Sequence, residues 1–233
     1  MTTVAVMQPY LFPYIGYYQL VAAADIFVFL DDVNFIKRGF INRNWVMDRS
    51  GRPVPIRIPV RRASQNRRIN ELIYDPPGPK PLKTVRQCYS RSARFEEFYP
   101  LFDEVISQAE GHSVAEISAL SITLVAKSLK LRTRFLTASE IDPQRTHGGQ
   151  ERILDICRHL GASRYINLPG GRNLYDADVF LGEGIQLSFL DTEVEPLTDE
   201  KGDKWHPSFL HYLLTEPGSR TRETLGKFRI HNA

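Results

Sequence analysis

Four prolines fall within seven residues at Asp75-Pro-Pro-Gly-Pro-Lys-Pro81. No strand or helix continues through such a stretch, because proline lacks a backbone donor and fixes φ. It divides the chain into two styles. Ahead of it lie short apolar runs and alternating patterns; beyond it the periodicity is mostly helical. Residues 4–7 predict a buried strand closed by Gln8-Pro9, residues 15–24 a helix, and residues 26–30 a β-branched and aromatic strand ending at Asp31-Asp32. Residues 45–60 predict a hairpin that turns at Ser50-Gly51, with Val54, Ile56, Ile58 and Val60 in the period of a half-buried strand.

Past the proline loop, residues 82–89 and 95–110 predict helices. Ser113-Val-Ala-Glu116 has capping-box spacing, with Ile117, Leu120 and Leu124 following on one helical face. Residues 134–137 predict a strand and 150–160 a helix stopped by Gly161. A strand over 164–168 enters the turn Pro169-Gly170-Gly171, a strand covers 185–190, and a last helix covers 207–214. Repeats and low-complexity linkers are lacking. The expectation is α/β, a mixed sheet with flanking helices, in one domain over residues 1–233, with a sheet-rich N-terminal third and a helix-rich remainder. A chain of 233 residues can bury roughly 70% of its unfolded surface.

Two cysteines rule out a disulfide scaffold and suit a reducing compartment. No apolar run approaches the ~20 residues of a membrane helix, and the first basic residue is Lys37, so neither a membrane span nor a secretory signal is expected. A cytoplasmic protein is the expectation. The net charge of +3 is small, yet Arg49, Arg52, Arg57, Arg61, Arg62, Arg67 and Arg68 occur with no Asp or Glu among them up to Asn70. This segment is either a solvated basic loop or a docking surface for an acidic macromolecule or a phosphate. Nucleic acid is not an expected partner, because aromatics do not interleave with the arginines and no recognisable module is present.

Three constellations stand out. The first, Met7-Gln-Pro-Tyr-Leu-Phe-Pro-Tyr-Ile-Gly-Tyr-Tyr18, packs four tyrosines behind a strand. They serve either as core or as the wall of a ring-binding site, with Gln8, Tyr10 and Tyr14 nearest the carboxyl end of the strand. In the second, Asp31 and Asp32 precede Lys37, Arg38, Asn42, Arg43 and Asn44. Such a set either neutralises itself as ion pairs or lines a pocket for a polyhydroxylated or phosphorylated ligand. Adjacent acids on a continuing strand point apart, which disfavours a paired-carboxylate hydrolase. In the third, Asn167, Arg172 and Tyr175 flank Gly170-Gly171, a plain turn or an anion-approaching loop without P-loop or dinucleotide spacing.

Cys157 shares a helical face with Ile153, Leu154 and Leu160 and reads as a buried hydrophobe, and Cys88 has no acid–base partner nearby in sequence. The six histidines show no metal-ligand spacing, and no metal site is expected; His206 and His211 are a weak helical pair, and His147 is either a general base or a cap-region residue.

Together the three constellations resemble the WbqC-like protein family. The resemblance runs through Met7-Gln-Pro-Tyr with Phe12-Pro-Tyr-Ile-Gly-Tyr17, Asp31-Asp-Val-Asn-Phe with Lys37-Arg-Gly and Asn42-Arg-Asn44, and Gly161-Ala with Tyr165-Ile-Asn and Tyr175. It implies a place in bacterial surface-polysaccharide pathways, or in lincosamide-type antibiotic pathways, where a carrier-protein-bound amino acid is joined to an amino sugar. The family tends to have an acid three residues after a C-terminal serine; here Ser208 is followed by His211.

What the resemblance implies is amide formation by acyl transfer, with no cofactor bound by this chain and a phosphopantetheine arm delivered by an acyl or peptidyl carrier protein. Asp32 is then the first choice for base or amine-orienting group, with His147 as a further catalytic candidate. Lys37, Asn44 or Gln8 would face the developing negative charge. Tyr10, Tyr14, Asp31, Arg38, Asn42, Arg43, Asn44, Asn167, Arg172 and Tyr175 would hold the amino sugar. Arg57, Arg61, Arg62, Arg67 and Arg68 would dock the carrier. A covalent route through Cys157 or Cys88 is the mechanistic alternative, and a non-catalytic sugar- or carrier-binding accessory protein is the functional one.

Overall fold

The computed structural model describes residues 1–199 and 202–233. The chain opens with strand β1 (Thr3–Met7), helix α1 (Ile15–Ala23) and strand β2 (Ile26–Phe29). The β3 (Arg43–Met47)–β4 (Pro53–Arg57) hairpin follows, then α2 (Lys80–Tyr89), α3 (Phe95–Ser107) and α4 (Val114–Ser128). Next come β5 (Arg134–Thr137), α5 (Ala138–Ile141), α6 (Gly149–His159), β6 (Arg164–Asn167), a 3-10 helix (Pro169–Leu174), α7 (Ala177–Gly182) and β7 (Gln186–Thr192). The last elements are the short strands β8 (Leu197–Thr198) and β9 (Lys204–Trp205), then α8 (Leu210–Thr215), α9 (Gly218–Leu225) and β10 (Phe228–Asn232).

Six strands form one sheet in the order β10-β7-β6-β1-β2-β5. All neighbours are parallel except β7 and β10. The chain therefore builds outward from β1 through β2 to β5, returns past β1 to β6, and builds outward the other way. This is the doubly wound order, with its reversal between β1 and β6. Successive strand residues face opposite layers. Ala5, Phe27, Phe29, Ile166 and Leu190 join a core with α1, α3, α4 and α8. Val4, Val6, Val28, Tyr165, Leu187 and Phe189 pack instead against Ile153, Leu154, Ile156 and Cys157 of α6 and Phe180 of α7. Strands buried on both faces have no polar side, which is why residues 4–7 read as a continuous apolar run.

Several local expectations hold to the residue. Asp48 Oδ1 accepts from the backbone N–H groups of Ser50 and Arg52 and from Ser50 Oγ, tying the β3–β4 turn. The capping box is complete: Ser113 Oγ accepts from Glu116 N at 3.1 Å, and Glu116 accepts from Ser113 N at 2.8 Å. Other expectations shift. Helix α2 begins at Lys80 with Pro81 in its first turn, where a missing N–H costs nothing. Helix α8 begins at Leu210 rather than 207. The polar α9 and the exposed β10 lie beyond the last expected helix.

Candidate functional site

The chain leaves β1 through a loop, residues 8–14, that the rest of the molecule holds in place. Phe12 has a φ of 43°, a backbone region that side chains other than glycine rarely adopt. Its amide donates to Ser121 Oγ at 3.1 Å, and its carbonyl accepts from Asn44 Nδ2 at 2.6 Å and Ser208 Oγ at 2.8 Å. Asn44 Nδ2 also donates to the Leu11 carbonyl, and Tyr17 Oη donates to the Gln8 carbonyl. Strain of this kind persists only where surrounding contacts over-determine it. Helix α4, strand β3 and the segment before α8 thus fix one loop at the carboxyl edge of the sheet.

That loop, the segment before β3 and the β8–β9 hairpin enclose a cavity of about 820 Å³. Tyr10, Tyr14, Phe40, Trp45 and Trp205 supply aromatic walls. Phe40 and Trp45 meet edge-on at 5.5 Å, Tyr10 lies 6.3 Å from Phe40, and Tyr14 lies 5.5 Å from the His206 ring. The Arg43 guanidinium sits 4.9 Å from the Trp45 ring centre, and Arg43 also donates to the carbonyls of Gly39 and Arg38.

Against these walls, three buried polar atoms lack a partner: Gln8 Nε2, Trp205 Nε1 and His206 Nδ1. All three residues line the same cavity. Buried polar atoms without partners are uncommon, and three occur on residues that line this one cavity. Burial pushes the His206 imidazole below its usual pKa, partly offset by the charge of Glu195. Burial raises the Tyr14 phenol, and it raises that of Tyr10 well above the ordinary value, with the neighbouring tyrosines adding to the latter. At neutral pH the cavity therefore presents a neutral imidazole and intact phenols.

Of the residues expected at a site, Gln8, Tyr10, Tyr14 and Asn44 meet here. Asn44 is spent on the two loop carbonyls and the Trp45 amide. Lys37 and Arg38 are exposed at a loop tip between Ile36 and Phe40, which both line the cavity. Asn42 pairs with the Ile58 carbonyl inside the hairpin layer.

Asp32 lies elsewhere. Both its oxygens accept from Arg152 at 2.7 Å, and Arg145 adds a 3.5 Å ion pair. A carboxylate held this way anchors α6, and Asp32 is not among the residues that line the aromatic cavity. Asp31 points away from Asp32, accepting from Ser139 and Asn70 at the edge of a second, polar cavity of about 750 Å³.

His147 is exposed and paired with Asp155 at 2.6 Å, away from the aromatic cavity. Asn167 Nδ2 binds the hydroxyls of Tyr165 and Tyr175, so this trio is a packing unit. A Cβ at Gly171 would lie 2.9 Å from Asn167 Nδ2, which explains the glycine without an anion. Arg172 pairs with Asp191 at 2.6 Å.

The expected docking arginines are all exposed. Arg61 pairs with Asp75 and Arg67 with Glu71, while Arg57, Arg62 and Arg68 form no ion pair with a described residue. Their segment pairs with the loop beside the cavity: Phe35 N donates to Arg67 O, and Ile69 N to Val33 O.

Burial pushes the Cys157 thiol up to about 12 and also raises Cys88, so neither supplies a thiolate at neutral pH. His206 and His211 do not form a pair. His211 Nδ1 lies 3.2 Å from Tyr89 Oη, and burial lowers its pKa to about 4. Among the described residues no group of His, Cys, Asp or Glu converges to hold a metal ion, and no helix is long and apolar enough to cross a membrane.

Phe40, Trp45, Lys204 and Trp205 are among the cavity members that sequence reasoning did not single out. The adjacent Trp205-His206 ahead of Pro207 was the available signal.

No solved structure matches the chain. It is 25% identical over 196 residues to an uncharacterized protein, Rv1507c, of Mycobacterium tuberculosis, a match covering 82% of this chain and 83% of that protein. The WbqC-like protein family model matches residues 8–213. That span starts at the cavity residue Gln8 and includes the β1 exit loop, the Asp31–Asn44 block, Trp205 and His206, and with it the chain belongs to the WbqC-like protein family.

Proposed function

We propose that this protein forms an amide bond, moving an acyl or aminoacyl group from a carrier-protein thioester to the amine of an amino sugar in surface-polysaccharide or natural-product biosynthesis. The observation that carries the reading is the aromatic cavity with its three unpaired polar atoms. Aromatic faces suit a sugar ring, and the unpaired atoms suit its hydroxyls and the reacting carbonyl.

In the reaction the amine nitrogen bonds to the thioester carbon, the C–S bond breaks, and the carrier thiol leaves. The His206 imidazole, neutral at the working pH, takes the amine proton and returns it to the departing sulfur. On substrate entry Gln8 Nε2 and Trp205 Nε1, buried without partners, turn toward the carbonyl oxygen and donate to it as its charge develops. This direct route needs no protein thiolate, in keeping with the raised cysteine pKa values. The arginine segment, paired with the cavity loop, gives an acidic carrier a surface near the entrance.

Mass spectrometry of acyl-loaded carrier, amino sugar and this protein tests the proposal. The expected result is the amide and free-thiol carrier, with His206→Gln slowing turnover about 100-fold or more. Absence of product across a panel of acyl groups and amino sugars, or a His206→Gln variant of full activity, would overturn it. Saturable sugar binding without product would establish the accessory-protein reading instead.

A further inference from the structure

We infer that the wall of the aromatic cavity formed by Ile36, Phe40, Ile41, Trp45 and Pro53 is an acyl subsite, and that the transferred group is an uncharged apolar chain or ring. The inference rests on the acyl-transfer reading above and names the class of its donor.

Among the described residues that line the cavity, the charged ones are Asp199 and Lys204, of opposite sign and both on the β8–β9 hairpin. The wall between residues 36 and 53 adds no charge, and the Asn44 amide there is already given to the Leu11 and Phe12 carbonyls. A charged acyl tail against this wall would lose water without gaining a partner. An apolar tail has no such cost. Ile36 and Phe40 remain 55% and 56% exposed although they line the cavity. Covering them removes apolar surface from water, which favours an apolar occupant.

These side chains stand on a turn that is tied down. Phe35 N donates to Arg67 O at 2.9 Å and Leu11 N to Ile41 O at 3.1 Å, which pins both ends. Within the turn Gly39 N donates to Ile36 O, and Arg43 N to Phe40 O. The Arg43 side chain donates to the carbonyls of Gly39 and Arg38 and lies over the Trp45 ring, which meets Phe40 edge-on at 5.5 Å. The wall is therefore set before a ligand arrives, which lowers the ordering cost of binding. The Tyr14 ring, 5.5 Å from that of His206, is left as the wall for the sugar, whose amine must reach the imidazole. The volume of about 820 Å³ lies within the roughly 300–1,000 Å³ of sites for drug-sized ligands, which gives room for both groups.

The chain has two tryptophans, Trp45 and Trp205, and both line this cavity. Intrinsic fluorescence therefore reports its occupancy. The full chain is titrated with the acetyl, hexanoyl and succinyl thioesters of N-acetylcysteamine. Each buried methylene is worth about fourfold in affinity, so the hexanoyl thioester should bind about tenfold or more tighter than the acetyl one. The succinyl thioester, which ends in a carboxylate, should bind no tighter than the acetyl one. Phe40→Ser and Ile36→Ser should each lower the hexanoyl-to-acetyl ratio about threefold or more. Leu174→Ser, at a position 66% exposed and outside the cavity lining, should leave the ratio unchanged. Equal affinity for acetyl and hexanoyl, succinyl binding as tight as hexanoyl, or no response to any of the three would overturn the subsite. So would a ratio unchanged in both cavity variants, or an equal fall in Leu174→Ser. A hexanoyl preference in a protein that makes no amide would remove the transfer reaction and leave the subsite standing. Amide formed with equal kcat/KM from acetyl- and hexanoyl-loaded carrier would remove the subsite and leave the reaction.

Discussion

Asp32 and Arg152 form a two-pronged ion pair, both contacts at 2.7 Å, with each side chain only 3% exposed. It ties the segment after β2 to α6 across 120 residues of sequence. Arg145 donates to the Asp32 carbonyl at 2.7 Å, and Asp142 lies 3.4 Å from Arg152 Nε. The network therefore binds the loop before α6 as well.

Removing one partner of such a pair strands a buried charge, which typically costs about 3–5 kcal/mol. Asp32→Ala is expected to lower unfolding free energy by that order in urea titrations. Any product formed per folded molecule should be largely unchanged. A stable variant without activity would restore Asp32 to the chemistry.

His211 makes stability depend on pH. Its folded-state pKa is lowered to about 4 by burial, against an ordinary value near 6.5. Between those values the unfolded chain binds the extra proton, so stability rises with pH in that window and is lost as pH falls through it. The group contributes roughly 3 kcal/mol of acid sensitivity between pH 6.5 and pH 4. In His211→Gln the urea midpoint should vary less over this range. An identical slope in the two proteins would show that His211 does not carry it.

Gly16 sits under the Tyr14 ring, where an added Cβ would lie 2.6 Å from Tyr14 Cε2. Gly16→Ala should therefore destabilise by about 1–3 kcal/mol through overpacking. In a Tyr14→Ala background the same change should instead stabilise, by up to about 1 kcal/mol, because alanine favours the helix. Comparable losses in both backgrounds, measured by urea unfolding, would rule out the ring contact as the cause.

Local relationships were legible without a structure. Ser113 and Glu116 cap a helix across three residues, Ser50-Gly51 turns a hairpin, and Gly161 takes a φ of 62° just past the end of α6. Each depends on interactions closed within a few residues. Strand β10 was not legible, because its alternation is confined to Phe228 and Ile230, it buries almost nothing, and it is held by antiparallel pairing to β7. Helix α9 buries only Thr221, Thr224 and Leu225, too little apolar surface to mark a face.

The candidate site divides the same way. By itself the sequence determined that Gln8, Tyr10 and Tyr14 follow an apolar strand at its carboxyl end, and that cations gather after Asp32. Only the tertiary structure decided that Trp205, His206 and Lys204, nearly two hundred residues later, close the same cavity. It also turned Asp32 toward Arg152. The physical reason is that a polar atom's role depends on which partners burial leaves it. Asp32 finds a guanidinium, whereas Gln8 Nε2, Trp205 Nε1 and His206 Nδ1 are buried with no partner. Neither fact is written in local spacing.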